Sequence, residues 1–437
     1  MPSAPADRHF QAGRPLWWAA GLFVFLAVAV GAYLLFRGPE QAVLPSQQSS
    51  GSPSGTTLDE GADSRADDAS ALLSRLVDAL RDGSRADVRA LAAPGDRAAA
   101  AELAALRHNV HAMGLTDLSM RYVDEDDGRL TDDQQRRYGD RAWVADVQLG
   151  WRVDGFDVHD SHREVPLTLL ETRGGAAFLS SRADVGEATP LWMLQRVDVR
   201  RTGRSLVAVA GDGSASRFSG LADRAVADVR KVLPDWRGRL VVEVPGDEQQ
   251  LGRVLGSESG SYGGIAAVTT TVDGSVSPQA PVHIFVNPRV FDPLGTRGSQ
   301  IVMSHEATHV ATGAAVSSMP TWLLEGFADF VALDHVDLPV SVTASQILAR
   351  VRKNGPPAHL PGKTEFDPEN QALGASYESA WLACRLLAER YGEKRLIAFY
   401  RASDRDDSTT EAFRDLLGTD QQAFTRAWKG YLRKLAG

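Results

Sequence analysis

His305-Glu306-Ala307-Thr308-His309 reads H-E-x-x-H. On a helix, residues four apart lie on one face. Both imidazoles can then reach one zinc ion, with Glu306 beside the position the protein leaves open. Sixteen residues after His309 stands Glu325, within Trp322-Leu323-Leu324-Glu325-Gly326-Phe327-Ala328-Asp329. Pro320 suits the start of a helix there, and Trp322, Leu323, Phe327 and Phe330 give it an apolar face. Glu325 on that second helix would complete a His2Glu set. Asp329, one turn later, can accept the other ring N–H of a ligand histidine and fix its tautomer. Ser299 is placed to cap the histidine-bearing helix, which Ile301, Val302 and Val310 help to bury. The plain alternative is a set of satisfied polar groups on two helices. The later Glu-x-x-x-Asp at usable distance weighs against it.

Outward from this pair, the sequence divides. Upstream, Leu221–Leu233 has helical spacing, while 239–244, 265–272 and 282–286 have strand character. One strand could run beside the metal cleft and hold an extended peptide by β-addition. The glycine-bearing stretch 256–264 is either a flap or an exposed connection. Downstream the helical pattern dominates. The proline-bearing region 355–375 could shape the cleft entrance or be an inert surface loop.

An earlier unit covers 69–215. Ala69–Leu80 and Arg97–Met113 are helix candidates; 143–151, 165–170, 192–199 and 205–210 are strand candidates. This is a small α+β accessory domain, able to meet an envelope protein partner, cover the enzyme or extend it from a membrane. His111, His159 and His162 form no compact motif there and are expected to be surface or structural histidines.

The N-terminal end differs in kind. Residues 16–36 carry no charge, Trp17 and Trp18 stand at one end, and Tyr33 is near the other. A helix of that length spans about 30 Å of hydrocarbon. A cleaved signal peptide and a buried core helix are the alternatives; the length of the run and the lack of a small-residue cleavage site favour an uncleaved anchor. Arg8 and Arg14 precede the run, so residues 1–15 are expected in the cytoplasm and the remainder outside. The expected address is a single-pass protein of a cell membrane in a bacterial envelope. Residues 37–68 are rich in Ser, Gly, Gln and acidic residues and read as a flexible tether.

A net charge of -9 and the lack of a basic stripe along the chain exclude a general nucleic-acid surface. The single cysteine, Cys384, rules out an internal disulfide or a cysteine-based zinc site, and its apolar surroundings predict a buried thiol.

HEATHV at 305–310 and PTWLLEGFADFVA at 320–332 together resemble the gluzincin metallopeptidases of the peptidase MA-like family. YESAWLACRLLAERYG at 377–392 and FTRAWKGYL at 424–432 are similar to the helical part of such domains. The resemblance covers residues 216–437 and leaves out the span and the first domain. The later glycine–histidine arrangement of metzincins is missing. The resemblance implies an α+β chain with a mixed α/β half followed by a mainly helical half. It implies Zn2+ on His305, His309 and Glu325, Glu306 as general base, and Asp329 behind a ligand. Tyr377 would be the oxyanion donor, with packing against Trp381 as its alternative role; His283 is a second, more structural candidate. The implied substrate is a peptide or protein, cut by an endopeptidase, since no acidic site for a free substrate amine is evident. The rival readings are an envelope binding or scaffold protein that keeps the fold without catalysis, and a structural metal site beside a functional first domain.

Overall fold

The computed structural model describes residues 60–126, 130–181, 188–257, 262–334, 336–368, 370–405 and 409–437. The expected span at 16–36 lies outside these residues. Among the described residues, no helix is long and apolar enough to cross a membrane.

Helix α1 (Glu60–Arg81) starts nine residues before the apolar spacing at 69, inside the stretch 37–68 read as tether. Arg65 explains part of the extension. Its guanidinium lies 5.2 Å from the centre of the Trp143 ring and donates to Glu125 at 2.6 Å. The polar turn is therefore held from the sheet side, an attachment that apolar periodicity does not reveal. Helices α2 (Arg85–Ala90) and α3 (Arg97–Met113) follow, and Gly114 ends α3 in the left-handed conformation at φ 66°.

These helices pack beside an antiparallel meander of β1 (Leu115–Asp126), β2 (Ala142–Val153), β3 (Ser161–Thr172) and β4 (Gly175–Ser180). The alternation at 143–151 and the apolar run at 165–170 fall in β2 and β3. β1 escapes a period-two reading. Its pairing with β2 shifts register at two places, one spanning Asp117, which has φ 53°.

The second sheet has the order β5-β6-β7-β9-β8: β5 (Val197–Arg201), β6 (Ser205–Ala210), β7 (Leu240–Val244), β8 (Ala267–Thr271) and β9 (Val282–Val286). β6, β7 and β9 run parallel in sequence, with antiparallel strands at both edges. Two expectations need correction. Residues 191–194 form a short helix rather than the start of a strand. Strands β5 and β6 join the second sheet, so the backbone ladder crosses the boundary expected at 215/216. Hydrogen bonding between β6 and β7 decides this, and strand propensity alone cannot specify a partner.

Helix α4 (Ala215–Val232) and the histidine-bearing α5 (Gly295–Thr312) lie against each other and against this sheet. α5 begins four residues before Ser299, which sits buried inside the helix and does not cap it. Then come α6 (Thr321–Leu333), α7 (Ser345–Asn354), α8 (Leu373–Tyr391), α9 (Glu393–Arg405), α10 (Thr409–Leu417) and α11 (Gln421–Ala436). Trp428 of α11 donates its ring N–H to the Ser379 carbonyl at 3.1 Å, satisfying a polar atom inside the helical half. Cys384 is buried, as its surroundings predict.

One apolar core runs through both units. A polar bolt crosses it. His283 of β9 bonds Glu243 of β7 through Nδ1 at 2.7 Å and Asp157 of the β2–β3 loop through Nε2 at 3.1 Å. Burial acts to lower the His283 pKa, but the two carboxylates outweigh it and push it up to about 9. The folded value lies above the unfolded one. The stabilisation is therefore full below about pH 6.5 and is lost as pH rises through about 9. Unfolding free energy is expected to fall by on the order of 2 kcal/mol between pH 7 and 10 from this group. The fall should be missing from His283→Gln. Denaturant titrations of both proteins across that range check it; parallel profiles would refute the charged bolt.

Candidate metal centre

The site is built where α5 and α6 cross. One turn separates His305 from His309 on α5, and the same spacing separates Glu325 from Asp329 on α6. The two Nε2 atoms are 2.8 Å apart. Glu325 Oε2 stands 3.2 Å from Nε2 of His305 and 3.5 Å from Nε2 of His309. Ligand atoms about 2.0–2.1 Å from a tetrahedral zinc stand about 3.3 Å from one another. Two imidazole nitrogens and one carboxylate oxygen at these separations fit such an ion. His305, His309 and Glu325 form a three-residue cluster able to hold a metal, and all three are buried.

Asp329 Oδ1 lies 2.7 Å from His305 Nδ1. An Nδ1–H donated there leaves Nε2 as the lone-pair face toward the cluster. Burial opposes charge on His305, but Asp329 and Glu325 outweigh it and raise its pKa to about 10. Burial also pushes Asp329 up, beyond the pull of His305 in the other direction. The two shifts belong to one proton held between Nδ1 and Oδ1. Glu325 is pushed up by burial and pulled further down by His309 and His305, so it stays a carboxylate.

Glu306 is fully buried. Its Oε2 accepts from the Thr269 hydroxyl at 2.6 Å, while its Oε1 has no hydrogen-bond partner. Burial raises its pKa against the opposing fields of His305 and His309 and the Thr269 bond. Thr269 is on β8, the sheet edge packed against α5, so a strand does run beside the cluster. Threonine at 269 escaped the sequence reading. It is 37 residues from Glu306, and three consecutive threonines at 269–271 give no sign of which one points inward.

Tyr377 lies in the second turn of α8. Its ring is edge-on to His305 at 6.2 Å between centroids and edge-on to Phe366 at 4.9 Å. The structure thus brings Tyr377 to the cluster, with Phe366 of region 355–375 behind it. His283 is held in the polar bolt by two carboxylates, the structural role. Residues 258–261 of the glycine-bearing stretch lie outside the described residues.

Next to Glu325, Gly326 lets α6 approach α8 closely. A Cβ there would meet the Ala380 carbonyl oxygen of α8 at 2.4 Å. No protein-family model matches this chain, and no curated protein matches it in sequence. The geometry therefore carries the conclusion by itself: a buried His–His–Glu cluster with H-E-x-x-H spacing, in a mixed α/β-then-helical arrangement, consistent with a gluzincin-type zinc site.

Proposed function

We propose that this chain is a membrane-anchored zinc peptidase, an endopeptidase acting on extracytoplasmic peptide or protein bonds. The observation that carries the reading is the convergence of His305 Nε2, His309 Nε2 and Glu325 Oε2, with an unpartnered carboxylate oxygen of Glu306 in the same buried neighbourhood. Zinc bound there would polarise a peptide carbonyl and acidify a water. Glu306 takes a proton from the attacking water at Oε1 and returns it to the departing amine. Asp329 holds the His305 tautomer. Tyr377 donates toward the oxygen that gains charge. Strand β8 lays an extended peptide along the cleft. The uncharged run 16–36 supplies the anchor, and the arginines before it support an extracytoplasmic catalytic unit.

One observation favours a second reading, a metal-holding scaffold without catalysis. His305, Glu306 and His309 are 0% exposed and Glu325 is 2% exposed. The test uses the full chain in lipid nanodiscs, stripped of metal and titrated with zinc, then mixed with a broad peptide library. About one tightly held zinc per chain and zinc-dependent internal cuts are expected. Failure to bind zinc would overturn the metal centre. Zinc binding without cleavage would leave the scaffold.

The Thr269 contact makes a separate prediction. Thr269→Val keeps the side-chain volume and removes the hydroxyl that fixes Glu306. We expect kcat to fall about tenfold with KM and zinc content unchanged, as loss of one fixed hydrogen bond implies. Thr269→Ser should restore most of the rate. A loss in Ser equal to that in Val would point to packing of β8 instead.

A further inference from the structure

The first unit carries a groove of ≈ 610 Å³ formed by α2, α3 and the residue before β5. Arg85 and Arg89 line it from α2, Arg107, His108 and His111 from α3, and Arg196 from the chain entering β5. These residues are scattered over more than a hundred positions, so a search along the sequence finds no basic stripe; folding assembles one. The chain as a whole is acidic, at -9, which makes the concentration of cations on one face informative.

The groove arginines are not neutralised by ion pairs among the described residues. In the same unit Arg65, Arg137 and Arg152 each pair with a carboxylate. Among the described residues, no such pair occupies Arg85, Arg89, Arg107 or Arg196. Asp87, which feels the Arg107 charge, uses its carboxylate to accept from the Ser84 amide at 2.7 Å and close the cap of α2. Arg107 is fixed through Nε to the Gly83 carbonyl at 2.7 Å. At His108, burial and then Arg196 lower the pKa, with a smaller contribution from Arg85, against the opposing Val197 carbonyl bond and the Asp198 carboxylate.

The walls select the ligand class. Ala101, Ala105 and Ala112 make a floor of small side chains along α3, leaving room for a main chain. Among the described residues, no Phe, Tyr or Trp lines the groove, so they offer bases no stacking platform. None of the described residues lining it is a large apolar side chain, so they supply no anchors of a membrane-surface helix. Guanidinium groups along a concave floor match the carboxylates of an extended polypeptide. We propose that this groove binds an acidic peptide segment of a partner or substrate protein. The proposal stands whether or not the metal centre is catalytic.

The test is fluorescence anisotropy of the full chain in neutral-lipid nanodiscs with a labelled deca-glutamate peptide. We expect saturable binding that weakens with salt, no binding of deca-glutamine, and at least a tenfold weaker Kd in Arg89→Glu and in Arg196→Glu. Arg136→Glu, at an exposed arginine of the same unit outside the groove, should leave Kd unchanged. Circular dichroism of each variant establishes that it is folded; Arg89→Gln and Arg196→Gln replace a reversal that is not. Two results would overturn the assignment: deca-glutamate binding that ignores these substitutions, or no deca-glutamate binding. A single-stranded oligonucleotide or anionic vesicles that bind more tightly and lose affinity in the same variants would overturn the peptide assignment in favour of that ligand.

Discussion

Glu306→Gln is expected to lower kcat by about 10³-fold while the zinc content stays at the wild-type value. The substitution is nearly isosteric, which matters at a residue with no exposed surface. A glutamine amide can still pair with the Thr269 hydroxyl now 2.6 Å from Oε2, so the strand-to-helix contact survives. His305, His309 and Glu325 contribute the metal-facing atoms and are untouched. What disappears is the ability of Oε1 to take up a proton and give it back. A neutral amide has no carboxylate basicity, so the loss should fall on kcat rather than on KM. Metal analysis and steady-state kinetics on the same preparation check both halves. Retention of turnover within a few-fold of wild type would remove Glu306 from the proton path. Loss of zinc together with activity would mean that the carboxylate helps to hold the metal.

The metal centre was legible because its information is local and periodic. H-E-x-x-H states its geometry once a helix is granted, and Glu325 with Asp329 repeats the one-turn spacing on a second apolar helix. Tyr377 was singled out by the resemblance and by its position after a long loop; its ring contact with His305 depends on how α8 packs. Long-range features escaped. The Thr269 bond joins a sheet edge to a helix, and period-two patterning does not say which strand is the edge. Strands β5 and β6 were recognised as strands yet assigned to the wrong sheet, since the choice of β7 as partner is made by tertiary packing. β1 was hidden by register shifts and α1's first turns by a polar attachment. Ser299 failed as a cap because the glycine-containing segment 295–298 continues the helix backward. The arginine groove was invisible for the opposite reason to the metal centre: its members share no period.

Gly326→Ala is expected to destabilise the fold by about 3 kcal/mol and to weaken zinc binding by on the order of 100-fold. Nothing about glycine in the middle of α6 requires unusual backbone freedom; the reason is approach. The added Cβ would stand 2.4 Å from the Ala380 oxygen, 2.6 Å from its carbonyl carbon and 3.0 Å from Cys384 Sγ. The first two are backbone atoms of α8, which cannot swing aside as a side-chain tip can. Relief therefore requires α6 and α8 to separate. Glu325 is the adjacent residue, and Oε2 must stay near 3.2 and 3.5 Å from the two imidazole nitrogens to close the set. A shift of even half an ångström in α6 spoils that triangle and also draws Asp329 from His305. Gly430→Ala supplies the control. It lies exposed in α11, where an added Cβ meets nothing within 4 Å. There the helix propensity of alanine should stabilise by about 0.5–1 kcal/mol and leave zinc affinity alone. Denaturant unfolding and competitive zinc titration on the two variants measure both effects. If Gly326→Ala held zinc as tightly as Gly430→Ala, the close packing of α6 on α8 could not be what sets Glu325 in place.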